Sequence, residues 1–349
     1  MKILYFGIYD SNYSRNKVLI KGLRKNGVEV IQCQVKPGFG WQFRLLFKYL
    51  KMWPKFDVMV VGFPGQEVMI LARLITGRLV IFDAFTSHYG GYILDRQYYA
   101  QNSLRAKYYR WIDRASCRLA DRVLLDTNAH IEFFVKQFGL PRAKFSRIFV
   151  GTDSSVFFPC FRLENKGTFL VHFHGNFIPL QGVEYIVRAA KLLEGKNIRF
   201  QLVGSGQTYA RSRALAQELN ISNIRWLEPV PYEKLAELMA PADICLGIFG
   251  DTPKVPLVIP NKIFEAVAMA KLVITADTPA IRELFQDSEN IILCKAADPE
   301  NLSDKILKLR QDNDLRQRVG KSGQELFKNR LTEGILGKEL MDIANSLHK

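Results

Sequence analysis

The residues best suited to chemistry lie in "IPNKIFEAVAMAKLVITADTPAIRELF", where Lys262 and Glu265 stand three apart. On a helix that spacing puts both on one face. Pro260 and Asn261 are helix-start residues, with Asn expected as the cap and Pro near the first turn. A lysine at this end opposes the helix dipole, which favours anions there. The pattern therefore points to a bound external anion or to an ordinary surface ion pair, the latter worth ~0.3–0.5 kcal/mol. The residues alone do not choose between them. In "FQLVGSGQTYARSRALAQEL", Gly204 and Gly206 form a turn between strand and helix. Such a turn lets backbone N–H groups approach an anion at a helix N-terminus, although the third glycine of the dinucleotide fingerprint is absent and a tight βα turn is the plainer account. "VHFHGNFIPLQGVEYIVRAAKLL" repeats the arrangement with Gly175 and Gly182. His172 and His174 share a strand face there, and with no third ligand near them no metal is assigned. Asp312 and Asp314 in "LRQDNDLRQRVG" interrupt a charged helical region, which fits helix capping better than metal binding.

These residues need elements to hold them. Apolar runs alternate with segments of helical period along the whole chain. "KILYF", "VEVIQC", "DVMVVG", "LVIFDAF", "RVLLDT" and "FSRIFV" read as strands of a first half, and "TFLVHFH", "IRFQLVG", "NIRWLE", "ADICLGIF", "KLVITA" and "NIILC" as strands of a second. Such alternation predicts parallel sheets built from βαβ units and covered on both faces. The break falls in "VGTDSSVFFPCFRLENKG", so the expected division is residues 1–160, 161–325 and a charged helical tail, 326–349, packing back toward the first domain. Two doubly wound domains facing across a cleft would bind ligand where strands end and helices begin.

The 349 residues carry a net charge of +15, and it is uneven. Residues 1–160 hold 24 Lys+Arg against 11 Asp+Glu, or +13; the rest hold 25 against 23, or +2. A basic first half suggests an anionic partner. In "WQFRLLFKYLKMWPKF", Arg44, Lys48, Lys51 and Lys55 recur at helical spacing, with Pro54 ending the helix before Lys55 and with Leu46, Leu50 and Trp53 beside them and Trp41 and Phe43 near the start. In "LRAKYYRWIDRASCRLA", Lys107, Arg110, Arg114 and Arg118 repeat the rule near Tyr109. One such helix is an ordinary solvated face; two in a domain of this charge predict contact with anionic lipid. Nucleic acid is the rival partner for a chain of this basicity, but no nucleic-acid motif supports it. The five scattered cysteines, Cys33, Cys117, Cys160, Cys245 and Cys294, form no CxxC pair, which fits a reducing compartment. The opening residues lack the order of a signal peptide and no run reaches ~20 uninterrupted apolar residues, so the expected location is cytoplasmic, peripheral to the inner membrane face.

Taken together, these motifs resemble the family 4 retaining nucleotide-sugar glycosyltransferases of GT-B fold over nearly the whole chain. "LADRVLLDTNAHIEFFVKQFGLPRAKFSRIFVGTDSSVFFP" resembles the bridge between domains, "HGNFIPLQGVEYIVRAAKLL" the first donor-domain loop, "FQLVGSGQ" the glycine turn, "IRWLEPVPYEKLAELMAPADICLGIF" the base-binding loop, and "FEAVAMAKLVITADTPAIRELF" the end of the E-x7-E segment. The resemblance implies that Glu265 holds the ribose hydroxyls, that Gly204 and Gly206 lie near the pyrophosphate, and that backbone at Glu228, Pro229 and Val230 meets the base. It places Gly7 near the donor, and either His88 or Asp83 near the reacting sugar. The chain departs from the pattern at Leu257, where the first acid belongs, and at Asn176 and Gln181, where Arg and Lys are usual. Gly175 belongs to that same loop, and Lys262 and Lys254 could supply the missing positive charge. The resemblance implies retaining transfer without cofactor or metal, from a nucleotide-diphosphate sugar to a glycan or lipid-linked acceptor in cell-surface polysaccharide or lipopolysaccharide synthesis. A catalytically inactive scaffold and a nucleotide-sugar epimerase of the same fold remain the alternatives.

Overall fold

The computed structural model describes residues 1–159 and 167–347; Cys160 lies outside them. Two compact units form, one of residues 1–153 with 330–349, the other of residues 154–329. The division therefore comes a few residues before the expected 160, and the tail that joins the first unit starts at Arg330 rather than 326.

The first unit has strands β1 (Lys2–Gly7), β2 (Glu29–Gln34), β3 (Val58–Val61), β4 (Leu79–Phe85), β5 (Arg122–Leu125) and β6 (Phe145–Arg147), all parallel in the order β2-β1-β3-β4-β5-β6. Its helices are α1 (Ser14–Lys25), α2 (Trp41–Met52), α3 (Val68–Ile75), α4 (Leu104–Leu119) and α5 (Asn128–Phe138). In the second unit, β7 (Phe169–His174), β8 (Ile198–Val203), β9 (Ile224–Leu227), β10 (Ile244–Leu246), β11 (Leu272–Ala276) and β12 (Ile292–Cys294) are parallel in the order β12-β11-β10-β7-β8-β9. Its helices are α6 (Val183–Leu192), α7 (Tyr209–Glu218), α8 (Tyr232–Met239), α9 (Asn261–Ala268), α10 (Pro279–Arg282), α11 (Pro299–Gln311) and α12 (Asn313–Arg330). The last helix, α13 (Glu333–Ser346), belongs to the first unit.

Strands such as Val58–Val61 are buried at every position, as sheets covered on both faces require. The order reverses on either side of β1 and of β7, and the carboxyl end of a strand at such a reversal is where open α/β sheets bind ligands. Gly7 ends β1 and His174 ends β7. Helix α13 lies against α1 at a glycine crossing: a Cβ on Gly22 would stand 2.0 Å from the Glu333 carbonyl oxygen. Buried Glu333 also accepts from Lys21 at 3.0 Å and Lys25 at 2.8 Å, which ties the chain's end to the first helix. Asp312 caps α12 through the Leu315 amide at 2.9 Å. Among the described residues no helix is long and apolar enough to cross a membrane.

Candidate functional site

At the carboxyl end of β7 the chain turns sharply. The glycine turn after β8 packs into this turn: the Gly175 amide donates to the Val203 carbonyl at 3.0 Å and the Phe177 amide to the Ser205 carbonyl at 2.8 Å. Gly204 (φ +133°) has no room for a side chain, because a Cβ would stand 2.0 Å from the Gly175 oxygen. Gly206 (φ +146°) would meet the Phe177 oxygen at 2.7 Å. Close approach of two backbones thus dictates both glycines. The turn opens α7, and among the described residues the Ser205 and Gly206 amides have no intramolecular partner. These two loop amides stand just before Thr208, the N-cap of α7, and are placed to receive an anion.

Helix α9 supplies the rest. Pro260 precedes it in extended conformation and Asn261 is its first residue, with no side-chain cap, which corrects the expected order of cap and first turn. Lys262 and Glu265 are only 6% and 4% exposed, and they form no ion pair with each other, so the surface-pair account does not hold. The Lys262 ammonium instead donates to Gln181 Oε1 and sits over the Phe173 ring, 3.6 Å from its centroid. A Cβ on Gly175 would touch its Nζ at 2.9 Å. Burial pushes the Lys262 pKa well below the ordinary lysine value, with nearby Glu265 opposing the change.

Glu265 faces the other way. His174 Nε2 lies 2.7 Å from its Oε2, His172 Nε2 lies 3.0 Å from His174 Nδ1, and Gln201 Nε2 lies 3.0 Å from His172 Nδ1. Burial, helped by the neighbouring His174 and Lys262, lowers the His172 pKa well below the usual range and keeps that ring neutral. The histidines are therefore engaged with each other and with Glu265.

Six of the expected residues thus meet: Gly175, Gln181, Gly204, Gly206, Lys262 and Glu265. Asn176 is exposed beside them. Glu228 and Pro229, exposed, and Val230, half-buried, follow β9, whose last residue accepts from the Gly204 amide at 2.9 Å. Half-buried Lys254 precedes a short helical turn, Val255–Leu257. Leu257, where the first acid belongs, packs on an apolar cluster of Leu180, Ile248, Val255 and Val258, so the site is apolar at that point.

In the first unit, Asp83 differs from what its position suggested. It is fully buried and held by the Arg15 guanidinium at 2.9 Å from Nη2 and 3.1–3.2 Å from Nε. Arg15 also donates to the Ile148 and Phe149 carbonyls at 2.7 and 3.0 Å. Asp83 is thereby spent on structure, and His88 is the partly exposed one of the two. His88 opens a π-helical turn, Tyr89–Asp95, its ring 3.5 Å from Glu67 Oε2. Asp113, which the sequence reading missed, anchors that turn by accepting from Ser87 Oγ at 2.6 Å and from the His88 and Tyr89 amides at 3.1 and 2.9 Å. Burial raises the Asp113 carboxyl above its ordinary value against these bonds.

The two basic stripes prove unequal. Arg44 and Lys48 donate to the Lys36 and Gln34 carbonyls at 3.0 and 2.8 Å, while Lys51 is exposed. The exposed large apolar residues of α2 are Phe43 (79%), Phe47 (69%), Leu50 and Met52, not Leu46, and Trp53 (72%) follows them. On α4, Lys107, Arg110 and Arg114 line a groove of about 440 Å³ with Trp111 and with Lys136 of α5. None of these four cations forms an ion pair among the described residues.

Residues 161–326, just under half of the chain, match the family described as Glycosyl transferases group 1. Over 163 residues the chain is 26% identical to the uncharacterized glycosyltransferase MJ1178 of Methanocaldococcus jannaschii, a match covering 45% of this chain and 42% of that protein. It is 26% identical over 144 residues to the putative colanic acid biosynthesis glycosyl transferase WcaI of Escherichia coli K12, covering 41% and 35%. The matches thus span less than half of either relative. The crystal structure of Anabaena Alr3699/HepE in complex with UDP and glucose superposes with a TM-score of 0.74 at 14% identity over 99% of both chains. The fold is GT-B, with its two parallel six-stranded sheets.

Proposed function

We propose that this protein is a retaining, metal-independent glycosyltransferase of family 4, moving a hexose from a nucleotide-diphosphate donor to a glycan or lipid-linked acceptor in cell-surface polysaccharide synthesis. One observation carries the reading. At the end of β7 a lysine and a carboxylate are both buried, among the described residues neither meets an opposite charge from a Lys, Arg, Asp or Glu side chain within bonding distance, and a glycine turn with bare amides lies alongside. A buried charge without a partner is costly, and a nucleoside diphosphate supplies what each group lacks: phosphate for Lys262 and vicinal hydroxyls for Glu265. As the glycosidic bond breaks, charge grows on the leaving diphosphate. Lys262 and the Ser205 and Gly206 amides stabilise it electrostatically. The backbone at Glu228–Val230 would meet the base, with Lys254 near the phosphates. No cofactor and no covalent protein nucleophile enters this scheme. The UDP and glucose bound by HepE support a nucleotide-sugar donor, and the name of WcaI supports polysaccharide synthesis.

The rival reading is an inactive scaffold, favoured by the apolar setting of Leu257. Purified protein incubated with UDP-, GDP-, ADP- and dTDP-sugars separates the readings. Slow release of nucleoside diphosphate, accelerated by a glycan or lipid-linked acceptor, supports transfer. A changed sugar epimer with no release indicates an epimerase, and binding without turnover indicates a scaffold.

The same proposal places the first unit on an anionic membrane surface, at the cytoplasmic face. The groove of Lys107, Arg110, Arg114 and Lys136 offers four uncompensated cations, and Trp111 and Tyr108 stand exposed beside it. Phe43, Phe47 and Trp53 on and after α2 add apolar residues suited to the headgroup level.

A further inference from the structure

Behind Glu265 lies a line of buried polar groups that the proposed transfer does not itself use. His172 and Gln201 are cross-strand neighbours on β7 and β8, His174 ends β7, and Leu238 belongs to α8. Gln201, His172, His174 and Glu265 are all at least nine-tenths buried. The direction of every bond in the line follows from its first member. The Leu238 carbonyl can only accept, so the group facing it at 3.1 Å is the Gln201 amide nitrogen. The other amide hydrogen points to His172 Nδ1 at 3.0 Å, which must then carry a lone pair. A neutral imidazole with a bare Nδ1 carries its proton on Nε2. His172 Nε2–H therefore donates to His174 Nδ1, and by the same rule His174 Nε2–H donates to Glu265 Oε2. The Gln201 amide nitrogen uses one hydrogen on Leu238 and the other on His172, and from Gln201 onward every bond runs toward the carboxylate. Glu265 Oε1 has no partner among the described residues and is not sealed from solvent.

We infer that Gln201, His172 and His174 are positioning residues, a one-way chain of hydrogen bonds that fixes the orientation of Glu265 and reserves its Oε1 for a ribose hydroxyl. The inference rests on the reading of Glu265 as the ribose-binding carboxylate. Its physical content is pre-organisation: a carboxylate tied at one oxygen loses little freedom when the other accepts a ligand. A loosely held carboxylate would rotate and discriminate poorly.

The test measures binding of UDP, GDP and ADP and of their 2′-deoxy counterparts by titration calorimetry. The unaltered protein should prefer the ribo form of its nucleotide by about tenfold or more, the size of one hydrogen bond to a charged group. His174→Phe keeps the ring but removes the donor, and should reduce that preference to within about threefold by loosening Glu265. His174→Gln, whose amide nitrogen reaches the place of Nε2, should restore it. Preference retained in His174→Phe would overturn the relay while leaving the ribose role of Glu265 standing. Equal binding of ribo and 2′-deoxy forms by the unaltered protein would overturn the ribose role itself, and the relay with it. The second measurement needs no variant to fold. ¹⁵N spectra of the unaltered protein should show His172 and His174 both protonated at Nε2 and bare at Nδ1, and any other pattern overturns the chain.

Discussion

The two units treat buried charge in opposite ways. In the first, Asp83 at the end of β4 meets Arg15 in a two-pronged ion pair, both side chains fully buried, and the spare donors of Arg15 go to backbone carbonyls. In the second, Lys262 rests against a neutral amide and an aromatic ring, and Glu265 against the His174 imidazole. The first arrangement is complete without a ligand. The second leaves a desolvated lysine and a desolvated carboxylate with no Lys, Arg, Asp or Glu partner bonded to them among the described residues, and burial answers by lowering the lysine's pKa. Burial alone therefore does not mark a functional charge; the absence of an ionic partner does.

The largest expected effect breaks the complete pair. Asp83→Ala strands the Arg15 guanidinium in the core and should cost about 3–5 kcal/mol of stability, read as a fall in the denaturation midpoint of the first unit. Lys262→Met, at an equally buried cation, should leave the melting temperature of the empty protein unchanged or raised. Equal destabilisation by both variants would erase the distinction between the units.

Next in size is Glu265→Gln. It keeps the shape and a bond with His174 but removes the charge that strengthens the ribose contact. Nucleoside diphosphate affinity should fall by about tenfold to a hundredfold with an unchanged melting curve. Calorimetric affinity equal to that of the unaltered protein would remove Glu265 from the site.

Much of this was legible beforehand, for a definite reason. The central strands coincide with apolar runs visible in the sequence, such as "DVMVVG" for β3, because strands covered on both faces must be apolar throughout, while the edge strands β2, β6 and β9 are mixed in residue type and only partly buried. The glycines at 204 and 206 were legible because close backbone approach tolerates nothing larger. What could not be read was which partner each polar group takes. Arg15 and Asp83 are 68 residues apart, Lys262 and Gln181 are 81 apart, and His174 and Glu265 are 91 apart. Local pattern carries no information about such pairings. Asp113 gave no signal at all, since one acid within the basic helix "KYYRWIDRASCR" looks like an ordinary surface residue until the fold turns it toward the His88 loop. The helix α2 stripe was only partly legible for a related reason: Leu46, which spacing aligns beside the cations, is half-buried, whereas Phe43 and Phe47 turn outward.

A smaller effect concerns protons. Burial holds the Lys262 pKa well below the ordinary lysine value in the empty site, and an arriving diphosphate raises it again. Between those two values binding takes up a proton. Calorimetry in buffers of different ionisation enthalpy should show net uptake with the unaltered protein and none with Lys262→Met. The sign also fixes the pH dependence: affinity falls as pH rises through that window, by at most about tenfold per pH unit, because at its upper end the lysine is neutral in both states. Affinity that stays constant or increases with pH there would mean Lys262 does not meet the phosphates. The same charge should weigh more on turnover than on affinity, since the diphosphate gains charge in the transition state.

The smallest expected effect compares the two basic helices, and it follows from how each cation is already employed. Arg44 and Lys48 have backbone carbonyls to hold, which uses their donors without cancelling their charge. Lys107, Arg110, Arg114 and Lys136 line an open groove, and among the described residues only Arg110 of the four makes a side-chain bond, a long one of 3.3 Å to the Gln137 carbonyl. Each cation near an anionic surface contributes about 1 kcal/mol. Lys107→Ala or Arg114→Ala should therefore lower the bound fraction on vesicles of mixed anionic and neutral lipid by up to about fivefold, and Arg44→Ala or Lys48→Ala by less. The aromatic contribution is separable, because Phe43→Ser and Trp53→Ser should weaken binding equally at low and high salt, whereas the α4 variants lose their effect as salt rises. Co-sedimentation at rising anionic content measures all of these. A uniform response to the two helices would mean that the carbonyl contacts on α2 do not restrain its cations. Full recovery of the unaltered protein in the supernatant under every condition would remove the membrane from the proposal and leave a soluble glycan as the acceptor.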